Sequence, residues 1–122
     1  MKDIVNLRVH IAPVGFEVDR IIIPAVRMKA DKVWLIAHDN TAEDKASKYR
    51  QKIEKELEKN GIKTEVTFAN RLRLFPIIKA VTEIIFKERK NDIYVNVATG
   101  SKIHAIGCMM ACMLFDDREK IH

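Results

Sequence analysis

The chain has 122 residues, 48% of them hydrophobic and 32% charged. That length builds one domain with a core but hardly two, and the composition argues against disorder. The net charge of +5 is spread over helices where Lys and Arg alternate with Glu and Asp, which predicts a solvated, ion-paired surface rather than a face for nucleic acid.

No apolar run approaches the roughly 20 residues of a membrane span. The first residues also lack the basic-then-apolar pattern of a secretory signal, so the expected location is cytoplasmic, with no membrane partner. Residues 6–12 alternate as a first strand, ended by Pro13 and a turn through Val14, Gly15 and Phe16. Residues 17–28 read as a helix with Glu17 and Asp19 in its first turn, where the dipole favours them, and with Pro24 bending it. His10, mid-strand, reads as structural.

Residues 32–37 form a nearly continuous apolar run, the pattern of a strand buried on both faces of a parallel sheet, with Trp34 in the core. His38, Asp39 and Asn40 make a polar loop that either rims a pocket at the end of the second strand or, the preferred reading, simply caps, and Thr41 is the expected N-cap of a helix over 42–59. Ala42, Ala46, Tyr49, Ile53 and Leu57 recur at helical spacing along it, and Asn60-Gly61 closes it. Residues 63–68 are polar enough for an edge strand. Past Asn70 and Arg71, Pro76 sits near the first turn of a third helix, whose buried stripe is Ile77, Ile78, Val81, Ile84 and Ile85.

Residues 92–97, rich in β-branched and aromatic side chains, predict a fourth strand. A loop of Ala98, Thr99, Gly100 and Ser101 follows, then an apolar helix that Lys102 enters. A strand that turns into a helix over such a loop gathers free N–H groups and the positive end of the dipole, a place that attracts phosphates. Cys108 and Cys112 form an i, i+4, i+8 row with His104. A zinc site needs three or four ligands and no fourth is evident by spacing, so the expectation is buried thiols, with no metal and no cofactor.

The order βαβαβαβα predicts an α/β fold: a Rossmann-like, doubly wound parallel sheet of strand order 3-2-1-4 in three layers. At its switch point, outside the C-terminal strand ends, two loops should meet: residues 13–17 and 98–102. The dinucleotide fingerprint Gly-x-Gly-x-x-Gly is missing, since only Gly15 follows the first strand, and Thr99-Gly100-Ser101-Lys102 lacks the glycine spacing of a Walker loop. The last helix is apolar on almost every side and needs cover on both. A two-fold dimer through it is the preferred expectation; a chain cut before further strands is the competing one, since no fifth strand is evident.

Pro13-Val14-Gly15-Phe16-Glu17 after the first strand, with Asn96-Val97-Ala98-Thr99-Gly100-Ser101-Lys102 and the apolar helix after the fourth, resembles the CRISPR-associated Rossmann-fold (CARF) sensor domains. The similarity is to archaeal members that place the sensor ahead of a winged helix. It covers the chain in element order, residues 1–122 being the sensing domain; its specific part is those two short loops. The resemblance implies a homodimer that binds a cyclic oligoadenylate, such as cyclic tetra-adenylate, across its two-fold axis and controls transcription or an attached effector. Contact with DNA would then come only through a domain absent from this chain.

Carried over, Ala98, Thr99, Gly100, Ser101 and Lys102 would contact phosphate and ribose. Gly15 would allow close approach and Phe16 would pack a base, while Asn96 and His104 would border the pocket, with Arg20 and Asn70 beyond them. The alternative the family offers is a metal-independent ring nuclease, in which a ribose 2′-hydroxyl attacks the phosphate and Ser101 and Lys102 position and stabilise charge. His104 is the one candidate base.

Overall fold

Strands and helices alternate along the whole described chain: β1 Arg8–Pro13, α1 Asp19–Arg27, β2 Lys32–Ala37, α2 Ser47–Lys59, β3 Lys63–Phe68, α3 Leu74–Lys87, β4 Asp92–Val95 and α4 Lys102–Leu114. The structure, a computed structural model, describes residues 6–39, 47–115 and 121–122. The expected Thr41 cap, Asn40 and residues 42–46 of the second helix lie outside the described residues. All strand pairs are parallel and the order is β3-β2-β1-β4. The fold is the expected α/β, Rossmann-like one.

Side-chain alternation along the strands sorts the core into two layers. Val9 and Ile11 of β1, Trp34 and Ile36 of β2 and Ile93 of β4 face α3 and α4, meeting Ile77, Val81, Ile84, Ile85, Cys108 and Ala111. Ala12, Val33 and Leu35 face the other way, onto Ile21 and Ala25 of α1 and Ile53 and Leu57 of α2. Helices α1 and α4, which follow the neighbouring strands β1 and β4, therefore lie on opposite faces. That opposition creates the crevice at the switch point.

The boundaries shift in ways the hydrogen bonds explain. β4 ends at Val95 because Asn96 folds its side chain back, its Oδ1 accepting the Ala98 N–H at 2.9 Å. α1 starts at Asp19, two residues later than expected, after a turn in which the Arg20 N–H donates to the Glu17 carbonyl. Among the described residues the sheet has four strands, as expected, with one isolated bridge added at the β4 edge. Ile121 pairs in parallel with Ile93, the His122 N–H donates to the Ile93 carbonyl at 2.7 Å, and the Val95 N–H donates to the His122 carbonyl at 2.9 Å. Two residues are too short for any periodicity, so the sequence could not show this pairing.

A buried carboxylate ties the N-terminal end of the sheet together. Glu88, just past α3, is buried, and its Oε2 accepts from Lys32 Nζ and Trp34 Nε1, both at 2.8 Å. Its Oε1 accepts from Asn91 Nδ2 at 3.0 Å. Burial by itself would push the carboxyl pKa up, but the hydrogen bonds from Lys32, Trp34 and Asn91 and the Lys32 charge together hold it below the usual range. A buried charge is tolerated only when so partnered. Glu88→Gln is expected to destabilise the fold by roughly 2–4 kcal/mol at neutral pH. Because the folded pKa is depressed, that contribution is present above the ordinary glutamate value of 4.5 and fades as pH falls through the folded value. Denaturant melts of both proteins across this range should converge at low pH; a pH-independent gap would show the charge is not what matters.

Candidate functional site

The turn after β1 and the loop after β4 touch. A Cβ placed on Gly15 would lie 3.1 Å from the Gly100 nitrogen, so the two backbones meet in tight contact. Gly100 has φ +75°, the left-handed region that favours glycine, and a Cβ there would strike the His104 ring at 2.5 Å and Pro13 at 2.9 Å.

Helix α1 holds the loop from the other side. Pro24 has no N–H, so the carbonyl four residues back, Arg20's, loses its helical partner. Asn96 Nδ2 donates to that carbonyl at 2.8 Å, while Asn96 Oδ1 takes the Ala98 N–H and Arg20 Nη1 donates to the Ala98 carbonyl at 3.2 Å. Asn96 therefore braces α1 to the loop. Arg20 also pairs with Glu17.

At the start of α4, Ser101 Oγ accepts the His104 N–H at 3.3 Å, and His104 Nδ1 accepts the Ser101 N–H at 3.0 Å. This is a reciprocal capping box with histidine in the place of the usual Glu or Gln. Of the N–H groups in the first turn, it leaves those of Lys102 and Ile103 for another acceptor. A backbone amide can only donate, so Nδ1 carries the lone pair and the proton sits on Nε2. Burial, then the nearby charges of Arg71 and His38, lower the His104 pKa to about 4.

These elements enclose a cavity of about 220 Å³, lined by Val14, Gly15, Phe16, Glu17, Arg20, His38, Arg71, Ala98, Thr99, Gly100, Ser101 and His104. Seven of the nine expected site residues meet there: Gly15, Phe16, Ala98, Thr99, Gly100, Ser101 and His104. The other two stand elsewhere. Lys102 is exposed on the first turn of α4 outside the lining. Asn96 borders a neighbouring cleft of about 620 Å³ with His10, Ile23, Met28, Tyr94 and His122. That cleft is larger but mostly aliphatic and aromatic; the smaller cavity has the charged and hydrogen-bonding groups that chemistry needs.

Phe16 leans edge-on against Tyr49 of α2, centroids 5.5 Å apart, yet stays 54% exposed, so one ring face is open. Thr99 is 4% exposed and its Oγ1 has no hydrogen-bond partner among the described residues. His38 and Arg71 complete the wall from the ends of β2 and β3, with the Arg71 N–H donating to His38 Nδ1 at 3.2 Å. The sequence offered His38 as a pocket rim but preferred a plain capping loop, and gave Arg71 no role; loops that follow adjacent parallel strands at their C-terminal ends were the available signal. Cys108 lies in the core with its thiol pKa pushed up to about 12 by burial and by Cys112.

A family model described as "HFX_2341_N:-like, N-terminal" matches residues 8–122. The chain belongs to that family. It is 34% identical over 113 residues to the uncharacterized protein MJ1513 of Methanocaldococcus jannaschii, a match over 88% of this chain and 34% of that protein. The chain thus spans about a third of the length of the curated relative it matches.

Among solved structures, Can2 from Sulfobacillus thermosulfidooxidans, in complex with cyclic tetra-adenylate, superposes with a TM-score of 0.75 at 14% identity, over 88% of this chain and 29% of Can2. A type III CRISPR defence DNA nuclease activated by cyclic oligoadenylate gives 0.70 at 15% identity, over 93% of this chain and 17% of that one. At such identities the likeness establishes the shared Rossmann-like fold. No helix among the described residues is long and apolar enough to cross a membrane.

Two outcomes follow from the loop geometry. Asn96→Leu should cost roughly 1–3 kcal/mol through two lost hydrogen bonds, and Pro24→Ala should recover more stability in that variant than in wild type, since residue 24 could then donate to the Arg20 carbonyl. Strict additivity in this double-mutant cycle would show that the brace is not built on the proline. His104 should remain neutral, with Nε2 protonated, when followed by ¹⁵N NMR at pH 6. Its folded pKa lies below the ordinary 6.5, so its contribution is full above that value and should fall by up to about 3 kcal/mol as pH drops toward 4; a titration midpoint near 6.5 would contradict the capping geometry.

Proposed function

We propose that this chain is a CARF-like ligand-sensing domain that binds a cyclic oligoadenylate, cyclic tetra-adenylate being the first candidate, and controls transcription or an attached effector in CRISPR-type defence. The observation that carries the reading is the cavity itself. Two glycine-bearing loops meet at the switch point of the sheet and open toward it an α-helix N-terminus, an unpartnered buried hydroxyl and a guanidinium, an arrangement suited to phosphate. Can2, which shares the fold, is described in complex with cyclic tetra-adenylate, and that supports the choice of ligand.

The size of the cavity argues for two copies. About 220 Å³ falls below the range of roughly 300–1,000 Å³ typical of complete small-molecule sites, so one chain offers part of a site to a ring of four nucleotides. α4 supplies a surface for pairing. Its inner side buries His104, Gly107, Cys108 and Ala111, while Ile106, Met109, Met110, Met113 and Leu114 are exposed, Met113 by 80%. A row of apolar side chains on one helix marks an interaction site, and a two-fold contact through it sets two copies of the loop side by side. DNA contact, in this reading, belongs to a domain outside this chain.

The ring-nuclease alternative places Ser101 and Lys102 at the phosphate and asks His104 for a base. The Ser101 Oγ lies 3.1 Å from His104 Nδ1, which resembles an activating pair. That nitrogen already accepts the Ser101 N–H and is weakly basic, so sensing is favoured over cleavage. Incubation with cyclic tetra-adenylate followed by product separation decides between them: retained, intact ligand supports the sensor, linear fragments with cyclic-phosphate ends support the nuclease, and absence of binding rejects both. Sedimentation should show a dimer. Lys102→Ala should weaken binding by about 1 kcal/mol, the effect of an exposed charge at the rim.

A further inference from the structure

The cavity has a third wall, contributed by the loop between β3 and α3. Arg71 stands there in a closed turn: the Leu72 N–H donates to Asn70 Oδ1 at 2.9 Å, the Arg73 N–H donates to the Asn70 carbonyl at 3.2 Å, and the Ala69 N–H continues the ladder onto Ala37. The Arg71 N–H is itself fixed by His38 Nδ1. The backbone that carries this side chain is thus set before any ligand arrives.

The side chain lacks what its backbone has. Arg71 Nε is buried with no hydrogen-bond partner among the described residues, and Thr99 Oγ1, across the same cavity, is in the same state. Proteins seldom leave buried donors unanswered, least of all on a charged group. Glu17, the carboxylate in the lining, is already paired with Arg20. The neutral, Nε2-protonated His104 adds a third donor without adding a charge. What fits among these groups is an acceptor bearing negative charge.

We propose that Arg71 is the anion-binding residue of this cavity, its guanidinium and the Thr99 hydroxyl holding the non-bridging oxygens of a phosphodiester, with His38 as the residue that positions it. This rests on the nucleotide reading above and deepens it. The phosphate lies between the β3–α3 loop and the start of α4, and Lys102 is only a rim charge. Arginine suits the task because its planar fork matches two phosphate oxygens at once, which lysine cannot do.

The test titrates ¹⁵N-labelled protein with cyclic tetra-adenylate and, separately, with inorganic pyrophosphate, following the Arg71 Nε–H resonance. That resonance should move in both titrations. Arg71→Gln should weaken cyclic tetra-adenylate binding by at least 30-fold, Arg71→Lys should restore only a small part, and Lys102→Ala should cost less than tenfold. His38→Leu should weaken binding, while His38→Asn, whose Oδ1 can accept the Arg71 N–H, should restore most of it; equal losses in the two would remove His38 from the positioning role. Wild-type affinity in both Arg71 variants, or a static Nε–H signal with both probes, overturns the proposal. If pyrophosphate moves the signal and cyclic tetra-adenylate does not bind, the anion site stands and the oligoadenylate reading falls.

Discussion

A missing hydrogen bond organises the C-terminal end of the sheet, where the candidate site lies. Pro24 cannot donate to the Arg20 carbonyl, and the oxygen it leaves free is taken by Asn96, one residue beyond the end of β4. The same asparagine closes the turn onto Ala98, and the Arg20 guanidinium returns to the Ala98 carbonyl. Two hydrogen bonds thus tie α1, on one face of the sheet, to the loop that starts α4 on the other, and a third closes that loop on itself. The two loops themselves meet where Gly100 packs against Pro13 and Gly15. A binding loop is useful when its supporting bonds lock it before the ligand comes, and here the lock is made of a helix defect and a side chain outside the cavity.

The elements were legible because each carries its own period. The buried run of β2, the polar edge of β3 and the stripe of α3 need no tertiary information, and with right-handed crossovers they leave few strand orders. What the chain hid is whatever depends on two distant residues meeting. Pro24 announces an orphaned carbonyl, but nothing local says that Asn96 will answer it, so Asn96 looked like a pocket residue. Arg71 and His38 are separated by 33 positions, and only the pairing of β2 with β3 brings them together. His104 is an intermediate case. Ser101-x-x-His104 has the spacing of a capping box with an unusual third-position residue, and reading the spacing before the residue type would have found it.

That substitution of histidine for the usual acid has consequences for charge. A glutamate in its place would put a carboxylate beside the helix N-terminus, where the dipole favours it but where it would compete with the phosphate of the proposed ligand. A neutral imidazole closes the same box and leaves the field of the helix and of Arg71 unanswered. Protonating it would break its hydrogen bond to the Ser101 N–H and place a second cation beside Arg71, whose charge helps keep the imidazole neutral.

Helix α4 also connects chemistry to assembly. Its first turn, with Ser101 and His104, is the floor of the cavity, and its exposed methionines lie about one and a half to three turns further on, roughly 8–18 Å along the axis at 1.5 Å per residue. The buried side of the helix is packed against α3, with Gly107 so close to Ile77 that a Cβ would lie 2.6 Å from its Cγ2; a contact that tight moves as a unit rather than bending. In the proposed dimer a ligand that favours one placement of the capping turn therefore favours one placement of Met109 and Met113 as well. A ligand shifts an equilibrium only by the difference in its affinity for the two states, so a site split between two chains gains its leverage from being whole in one arrangement of the paired helices and open in the other.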